Sequence, residues 1–333
     1  MFTRKPSITV SGKAIKLSLV AAALLACGAV HAQSSTVNLG KVKQTQAGAL
    51  NKQRLDVGNT SGAGRSTVTP GAINQIQAGA LQSQSLKIGN AEGGSASSNV
   101  RTGAINQIQA GALNKQTNEI GVATNSGRSD VNIGVNNQIQ AGALNRQVSK
   151  VGNAADGGSS KVNLGALNQI QAGALNNQSV EIGNASNGGK ANVNVGAATQ
   201  VQAGALNNQT MEIGNAKGGR TNVNVGLATQ GQAGVLNNQQ MEIGNAKGGG
   251  SSRVNVGAAT QVQAGAFNNQ RLKIGNARGS STNVNVGAVT QVQGGAFNNG
   301  EVEIGNGGGS VSVGAVIQLQ PGVFGNDKIR IGN

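Results

Sequence analysis

Side chains suited to catalysis or metal binding are scarce in this sequence. It contains one Cys and one His, Cys27 and His31, and 11 Asp and Glu residues against 26 Lys and Arg residues. After residue 32 no thiol or imidazole remains to act as a nucleophile, a base or a soft metal ligand. The repeated Asp pattern of a calcium-binding roll and the glycine loop of a phosphate site are also absent. We therefore expect no enzymatic activity, no metal, no cofactor and no small-molecule substrate.

Charged residues nevertheless occupy one regular position. They precede the tripeptide Ile-Gly-Asn, or its equivalent, in all ten copies of a repeat, and seven of the nine neighbouring pairs have opposite signs. The residues of this charge ladder are Asp56, Lys87, Glu119, Lys150, Glu181, Glu212, Glu242, Lys273, Glu303 and Arg330. Opposite charges on neighbouring strands contribute roughly 0.2 to 1 kcal/mol per pair. The alternation predicts that the copies stack in chain order, with these side chains on an outer, solvated face.

A pair of glutamines, Gln-x-Gln, is the second regular feature, and its first members are separated by 27 to 32 residues. The ten pairs are Gln44 and Gln46, Gln75 and Gln77, Gln107 and Gln109, Gln138 and Gln140, Gln169 and Gln171, Gln200 and Gln202, Gln230 and Gln232, Gln261 and Gln263, Gln291 and Gln293, and Gln318 and Gln320. Stacked identical amides can donate to one another along the stacking axis. The pairs therefore predict two glutamine ladders that hold successive copies together.

Each link after a glutamine pair carries a glycine, and most links also carry an asparagine. The bend glycines are Gly48, Gly79, Gly111, Gly142, Gly173, Gly204, Gly234, Gly265, Gly295 and Gly322. The predicted Asn ladder comprises Asn51, Asn114, Asn145, Asn176, Asn207, Asn237, Asn268 and Asn298, with Gln82 in the second copy. Glycine at one offset in every link indicates a backbone conformation that residues with a Cβ do not adopt.

The elements that position these residues are short strands. In the sixth copy, residues 192–202 and 209–215 alternate in period two, and glycine-rich turns separate them. A fixed period of this length indicates a stack of similar units. We predict an all-β fold: a β-solenoid or cross-β stack of about ten strand-turn-strand rungs, with a period near 31 residues. We place a short leader at 33–36 and the ten-unit array at 37–333.

Three further points concern this fold, and the first of them stays open at the level of sequence. Both strand faces carry ladder-forming residues, so the pattern does not decide which face points inward. Disorder conflicts with the fixed offsets of the apolar residues, and a helical repeat conflicts with Gly and Asn at every bend. The final strand of the tenth copy has no added cap, which predicts open edges that another subunit can extend.

The N-terminus predicts export. A basic region and an apolar run at 17–26 precede a small-residue cleavage site after Ala32, as in a bacterial secretory signal peptide at 1–32. An alternative cleavage site before Cys27 would leave that residue acylated and the protein anchored to lipid. No later apolar run is long enough for a membrane helix. We expect a secreted, extracellular or cell-surface protein that passes through the periplasm of a Gram-negative-type bacterium.

The charge balance is basic. Removing residues 1–32 lowers the formal charge from +15 to +11, because that segment holds four of the basic residues and no acidic ones. Attraction to extracellular DNA or anionic polysaccharide is one interpretation, and simple solubility is another. The Lys and Arg residues are dispersed along the sequence and lack the stacking aromatics of dedicated nucleic-acid modules. The sequence thus favours the solubility interpretation.

The link residues carry a family resemblance. The stretch from Gln202 to Gln209, QAGALNNQ, resembles the Gln-x-Gly-x-x-Asn-x-Ala core of curlin repeats, the subunits of bacterial curli amyloid. It is also similar to repeats of the pseudomonad Fap fibre subunit. The resemblance implies a secreted subunit that polymerises into functional amyloid fibres for biofilm matrix, cell adhesion and surface attachment. It further implies an outer-membrane secretion pore, a nucleator subunit and periplasmic chaperones as partners, beside the protein itself.

A second class of function remains. A solenoid that does not polymerise could act as a surface or secreted adhesin or ligand-binding protein, with or without a lipid anchor. Ice binding would favour a flat row of Thr-x-Thr, but Thr199 and its equivalents stand singly.

Overall fold

A computed structural model describes residues 7–10, 34–278, 281–307 and 309–332. Every regular element within these ranges is a β-strand, and the chain winds through them as a parallel β-solenoid with a period near 31 residues. The predicted fold class is therefore confirmed. The predicted cleavage site after Ala32 and the alternative at Cys27 lie outside the described residues. None of the described segments forms a helix long and apolar enough to cross a bilayer.

Each rung contains a long strand, usually of 14 residues, followed by a second strand, usually of eight residues, and in seven rungs a two-residue strand comes next. The long strands are β2 (Ser34–Ala47), β5 (Arg65–Ala78), β8 (Ser97–Ala110), β11 (Arg128–Ala141), β13 (Ser159–Ala172), β16 (Lys190–Ala203), β19 (Arg220–Ala233), β22 (Ser251–Ala264), the first part of β25 (Ser281–Ile304), and β26 (Gly309–Leu319). The following strands are β3 (Leu50–Val57), β6 (Leu81–Ile88), β9 (Leu113–Ile120), β12 (Leu144–Val151), β14 (Leu175–Ile182), β17 (Leu206–Ile213), β20 (Leu236–Ile243), β23 (Phe267–Ile274), the last part of β25, and β27 (Gly322–Ile331). The shortest are β4 (Thr60–Ser61), β7 (Ala91–Glu92), β10 (Ala123–Thr124), β15 (Ala185–Ser186), β18 (Ala216–Lys217), β21 (Ala246–Lys247) and β24 (Ala277–Arg278), and β1 (Ser7–Val10) precedes them all.

Equivalent strands of successive rungs pair in parallel and in register. Gln200, for example, lies opposite Gln169 of the rung before and Gln230 of the rung after. We call the sheet of long strands the first sheet, the sheet of eight-residue strands the second sheet, and the row of two-residue strands the third sheet. The third sheet adds a detail to the predicted strand-turn-strand rung, because in seven rungs the wider turn itself contains a short strand. At the first rung, β1 pairs with β2.

The first sheet has a change of phase in the middle of each strand. In β16, Val193 and Val195 point inward, and Gly196 and Ala197 both lie on the outer side. Beyond them every second residue, Gln200 among them, points inward again. Two consecutive outward residues bend the strand, and they reverse which member of the alternation is buried. Aliphatic and amide side chains consequently share one interior. The sequence did not decide which face of the strand points inward, and the structure shows that the inward face changes in the middle of the strand.

The second sheet completes the interior. In β17, Asn207, Gln209, Met211 and Ile213 are buried, whereas Leu206 is outward. The Val, Ile, Leu and Met side chains of both sheets form one continuous apolar cluster that runs through the rungs. Close packing of these side chains compensates for the absence of large aromatic residues from the core. The amides occupy the remaining part of the interior, next to the bend.

Candidate functional site: amide ladders and outer surfaces

The two predicted glutamine ladders are continuous chains of hydrogen bonds. Each Nε2 donates to Oε1 of the equivalent glutamine in the preceding rung, at 2.5 to 3.1 Å for the first members of the pairs. The second members give the same pattern at 2.5 to 3.2 Å. Gln202 also donates to the carbonyl of Asn208, at 3.1 Å, so both of its amide hydrogens have acceptors. This pairing makes burial of the amides tolerable.

A third glutamine ladder was missed at the level of sequence. Nε2 of each member donates to Oε1 of the preceding one at 3.0 to 3.2 Å, from Gln84 onto Gln53 up to Gln270 onto Gln239. The signal was visible, because a glutamine follows two residues after the ladder Asn position in eight copies. The ladder ends where Gly300 takes the equivalent place, and Gln270 Oε1 is buried without a hydrogen-bond partner among the described residues.

The Asn ladder runs in the opposite direction. From Asn114 to Asn268 each Nδ2 lies 2.9 to 3.0 Å from Oδ1 of the asparagine in the following rung, to which it donates. Each of these six amides, as at Asn207, also lies within hydrogen-bond distance of its own bend-glycine carbonyl and of a carbonyl in the next rung, which belongs to an alanine except at Asn268, where it belongs to Gly294. Asn51 and Gln82 make the same backbone bonds, so the described amide-to-amide chain begins only at Asn114. The ladder therefore satisfies the carbonyl groups of the tight bend.

The bend glycines are needed for a different reason from the one expected. In all nine rungs that follow another rung, a Cβ at this position would overlap the carbonyl oxygen of the preceding bend glycine, as Gly204 would overlap Gly173. Among the described bend glycines, φ lies in the positive range only at Gly48, Gly79 and Gly295, at 148° to 156°. The expected backbone conformation is therefore corrected to a close approach between successive bends.

Left-handed backbone occurs instead at the glycine of Ile-Gly-Asn. Gly214 has a φ of 64°, and its equivalents lie between 58° and 67°. A Cβ at Gly214 would also overlap Val223 of the next long strand. The tripeptide was recognised in the sequence only as a landmark for the charge ladder, although a glycine there in every copy was the available signal. This glycine turns the chain from the second sheet into the third.

The charge ladder lies in register on the outer side of the second sheet. Four of its seven opposite-sign neighbours form ion pairs within 4 Å, namely Lys87 with Glu119 at 2.7 Å, Lys150 with Glu181 at 3.5 Å, Lys273 with Glu303 at 2.9 Å and Arg330 with Glu303 at 3.2 Å. Asp56 instead contacts Arg54 of its own strand, at 2.6 Å. These side chains are partly exposed, so each pair contributes at most about 1 kcal/mol. The ladder is thus better suited to setting the register than to supplying stability.

Three adjacent carboxylates interrupt the alternation. Glu212 lies between Glu181 and Glu242 in the register of the second sheet. Burial raises the pKa of the Glu212 carboxyl, and the charges of Glu242 and Glu181 raise it further. At Glu303 burial opposes ionisation too, but cationic neighbours, Lys273 first among them, hold the pKa of that carboxyl below its usual value. As the pH rises through the carboxyl range, ionisation of Glu212 is therefore expected to lower the stability of the fold, whereas ionisation of Glu303 is expected to raise it.

An apolar groove follows the outer side of the second sheet along the whole solenoid. Its floor is the apolar stripe Leu50, Leu81, Leu113, Leu144, Leu175, Leu206, Leu236, Phe267, Phe297 and Phe324. These side chains are 39 to 76% exposed, and the groove encloses about 1320 Å³. The three phenylalanines stack with ring centroids 4.9 and 5.2 Å apart. Continuous exposed apolar surface of this kind commonly marks an interaction site. The stripe was not predicted, although Leu or Phe precedes the position of the Asn ladder in every copy.

The tenth rung leaves its ladder open. Strands β26 and β27 each pair with β25, and no described strand pairs with their other edge. Gln318 Nε2 donates to Gln291 Oε1 at 3.1 Å and to Asp327 Oδ1 at 2.7 Å. Its own Oε1 is buried and has no partner among the described residues. In each earlier rung the equivalent oxygen accepts from the Nε2 of the following glutamine, as Gln291 Oε1 does from Gln318.

Comparison with known proteins assigns no function to these surfaces. No group of three or more His, Cys, Asp or Glu side chains that could hold a metal ion occurs among the described residues. No family model, curated protein or solved structure matches the chain.

Proposed function

We propose that the protein is a secreted structural subunit that self-assembles into extracellular, curli-like functional amyloid fibres for biofilm matrix, adhesion and surface attachment. The observation that carries the proposal is the open ladder: the glutamine amides are linked in one direction through ten rungs and reach Gln318 with an unpaired Oε1. An exposed sheet edge of this kind is a template for another chain. The function requires no catalytic step and no cofactor.

The end rungs are complementary in this proposal. A second copy stacked in the same register would set Gln44 opposite Gln318, and Val37 opposite Val311, which is only partly covered in the tenth rung. The charge ladder would continue as well, because Asp56 would lie opposite Arg330. Loss of residues 1–32 as a signal peptide would remove β1 from the edge of β2. The resemblance to curlin repeats supports the same function, and a secretion pore, a nucleator and chaperones are proposed partners on that basis alone.

The test is assembly of the purified protein from denaturant, followed by thioflavin-T fluorescence and fibre diffraction. We expect fibres with a meridional reflection near 4.7 Å, and growth that preformed fragments seed. A monodisperse, β-rich monomer that never seeds would rule out the assembly function.

The substitution Gly48→Ala tests the register of addition. In a single chain a Cβ at Gly48 meets nothing closer than Asn51 Oδ1 at 3.4 Å, but a stacked copy would bring the bend of Gly322 against it. We expect elongation to slow about tenfold or more, from the overpacking of one methyl group at the junction. The control is Gly218→Ala, which also places a Cβ at a positive φ, 65°, but in the middle of the array, where it would meet nothing closer than the Gly248 carbonyl oxygen at 3.7 Å. Equal elongation rates for the two variants would refute this register.

The apolar groove favours a second candidate function, binding of a long apolar or amphipathic chain by a solenoid that does not polymerise. Its floor is continuous along ten rungs, and Lys52, Lys115 and Arg146 line the side of the groove in the first half of the chain. A fluorescent fatty acid such as parinaric acid is the probe. Saturable binding to the soluble protein that Leu175→Asn weakens would support this candidate, and failure to bind would exclude it.

A further inference from the structure

The outer face of the first sheet carries one cation in each of seven consecutive rungs. These residues are Arg65, Arg101, Arg128, Lys161, Lys190, Arg220 and Arg253, and all of them are exposed. In the sequence they are about 30 residues apart and look dispersed. The solenoid brings them to one face, because each complete rung returns the chain to the same sheet. We call this set the cationic row.

Carboxylates are almost excluded from that face. Of the Asp and Glu residues in the described ranges, Asp130 is on the first sheet, and the others lie on the second and third sheets or in turns. Ion pairs within 4 Å, such as that of Arg271 with Glu301 at 2.7 Å, join residues of the second sheet to one another. The second sheet therefore neutralises much of its own charge. The positive excess of the protein is concentrated on the first sheet, where Lys41 and Lys43 of β2 add to it.

The cationic row has the geometry of a site for a linear polyanion. Rungs lie about 4.8 Å apart, so seven rungs span roughly 29 Å along the axis. The surface between the cations is polar, with an exposed amide ladder from Asn194 to Asn285 whose bonds measure 3.1 to 3.2 Å. A shallow groove of about 530 Å³ runs past Lys190, Arg220 and Arg253. Arg128, Lys190 and Arg220 share one register position, whereas Lys161 and Arg253 lie two residues further along their strands and Arg101 four. A nucleic-acid strand carries one phosphate per about 3.4 Å, so its backbone can contact several of these cations at once.

We propose that the cationic row binds the phosphodiester backbone of nucleic acid without regard to base sequence. Five of the seven cations are Arg, whose planar guanidinium binds phosphate oxygens in pairs. This face has no aromatic side chains for stacking, so contact is made with phosphates rather than with bases. The site is complete in a single subunit, and it is therefore independent of fibre assembly.

The test measures binding of a fluorescein-labelled DNA duplex of about 20 base pairs to the soluble protein, by anisotropy over a range of salt concentrations. The test variant is Arg128→Gln/Lys190→Gln/Arg220→Gln, which removes three cations of the row. The matched control is Lys52→Gln/Lys115→Gln/Arg146→Gln, which removes the same charge from exposed positions beside the apolar groove. Far-UV circular dichroism of both variants checks that the solenoid is retained.

We expect the row variant to bind about 100-fold more weakly near physiological salt, and the slope of log K against log salt to fall in magnitude by about 2.7, from three lost phosphate contacts. The control should change affinity by about threefold or less, since only the general field of the protein is reduced. Equal losses for the two variants would refute a localised site. Stronger competition by polygalacturonate than by unlabelled DNA at equal charge would overturn the phosphodiester assignment in favour of a carboxylated polysaccharide.

Discussion

Substitution of a bend glycine by alanine separates two physical reasons for the same sequence pattern. Gly204 has a preceding rung, and its added Cβ would overlap the carbonyl oxygen of Gly173. Gly48 occupies the same place in the repeat but has no preceding bend, and its φ is 148°. If close approach is the reason for glycine, Gly204→Ala is the more damaging substitution. If backbone conformation is the reason, Gly48→Ala is.

The magnitude follows from the hydrogen bonds that hold the bend. Relief of the overlap at Gly204 requires its bend to separate from that of Gly173, which loosens three hydrogen bonds of 2.9 Å between the two bends. They are donated by the backbone of Gly173 and Leu206 and by Asn176 Nδ2. At about 1 kcal/mol each, their loss destabilises the protein by about 3 kcal/mol. Gly48→Ala meets no atom closer than 3.4 Å, and its backbone strain costs about 1 kcal/mol.

The assay is guanidinium unfolding of the soluble protein, together with hydrogen exchange of the rungs on either side of the substitution. Gly204→Ala should lower the free energy of unfolding by about 2 kcal/mol more than Gly48→Ala does. Hydrogen exchange should accelerate in β13, β16 and their links, because the cost is local to that stack. A loss for Gly48→Ala equal to or greater than that for Gly204→Ala would refute the close-approach argument.

Three further predictions concern single side chains. Glu212→Gln should raise the melting temperature at neutral pH. The raised pKa of Glu212 means that wild-type stability falls as the pH rises from the ordinary carboxyl range through that pKa, and a melting series against pH should show this fall in the wild type but not in the variant. Gln202→Leu should destabilise the protein by about 2 to 4 kcal/mol in chemical denaturation, because it leaves the buried Gln171 Oε1 without its donor. Gly231→Val should stabilise by about 0.5 to 1 kcal/mol in the same assay, since its Cβ would meet nothing closer than 4.0 Å and a strand glycine is entropically unfavourable.

Repetition explains why much of the ladder arrangement was predictable. Two glutamine ladders and the register of the charge ladder followed from identical residue types at nearly constant spacing, because a stack of similar units sets equivalent residues opposite each other. The third ladder was equally periodic and was overlooked. The individual ion pairs were less predictable: Asp56 contacts Arg54 of its own strand, since flexible side chains choose among several nearby partners.

The sequence by itself determined the period, the strand character and the in-register stacking, because these depend on local alternation and on repetition. Only the tertiary structure decided which side chains face the interior, since two consecutive outward residues at Gly196 and Ala197 reverse the alternation within β16. The close approach between bends is likewise a contact between residues about 31 apart, as at Gly173 and Gly204. The concentration of positive charge on one face has the same origin. The position of each cation depends on the total angle through which the chain turns in one rung. That angle is the sum of all bends and turns of the rung, so no local segment determines it.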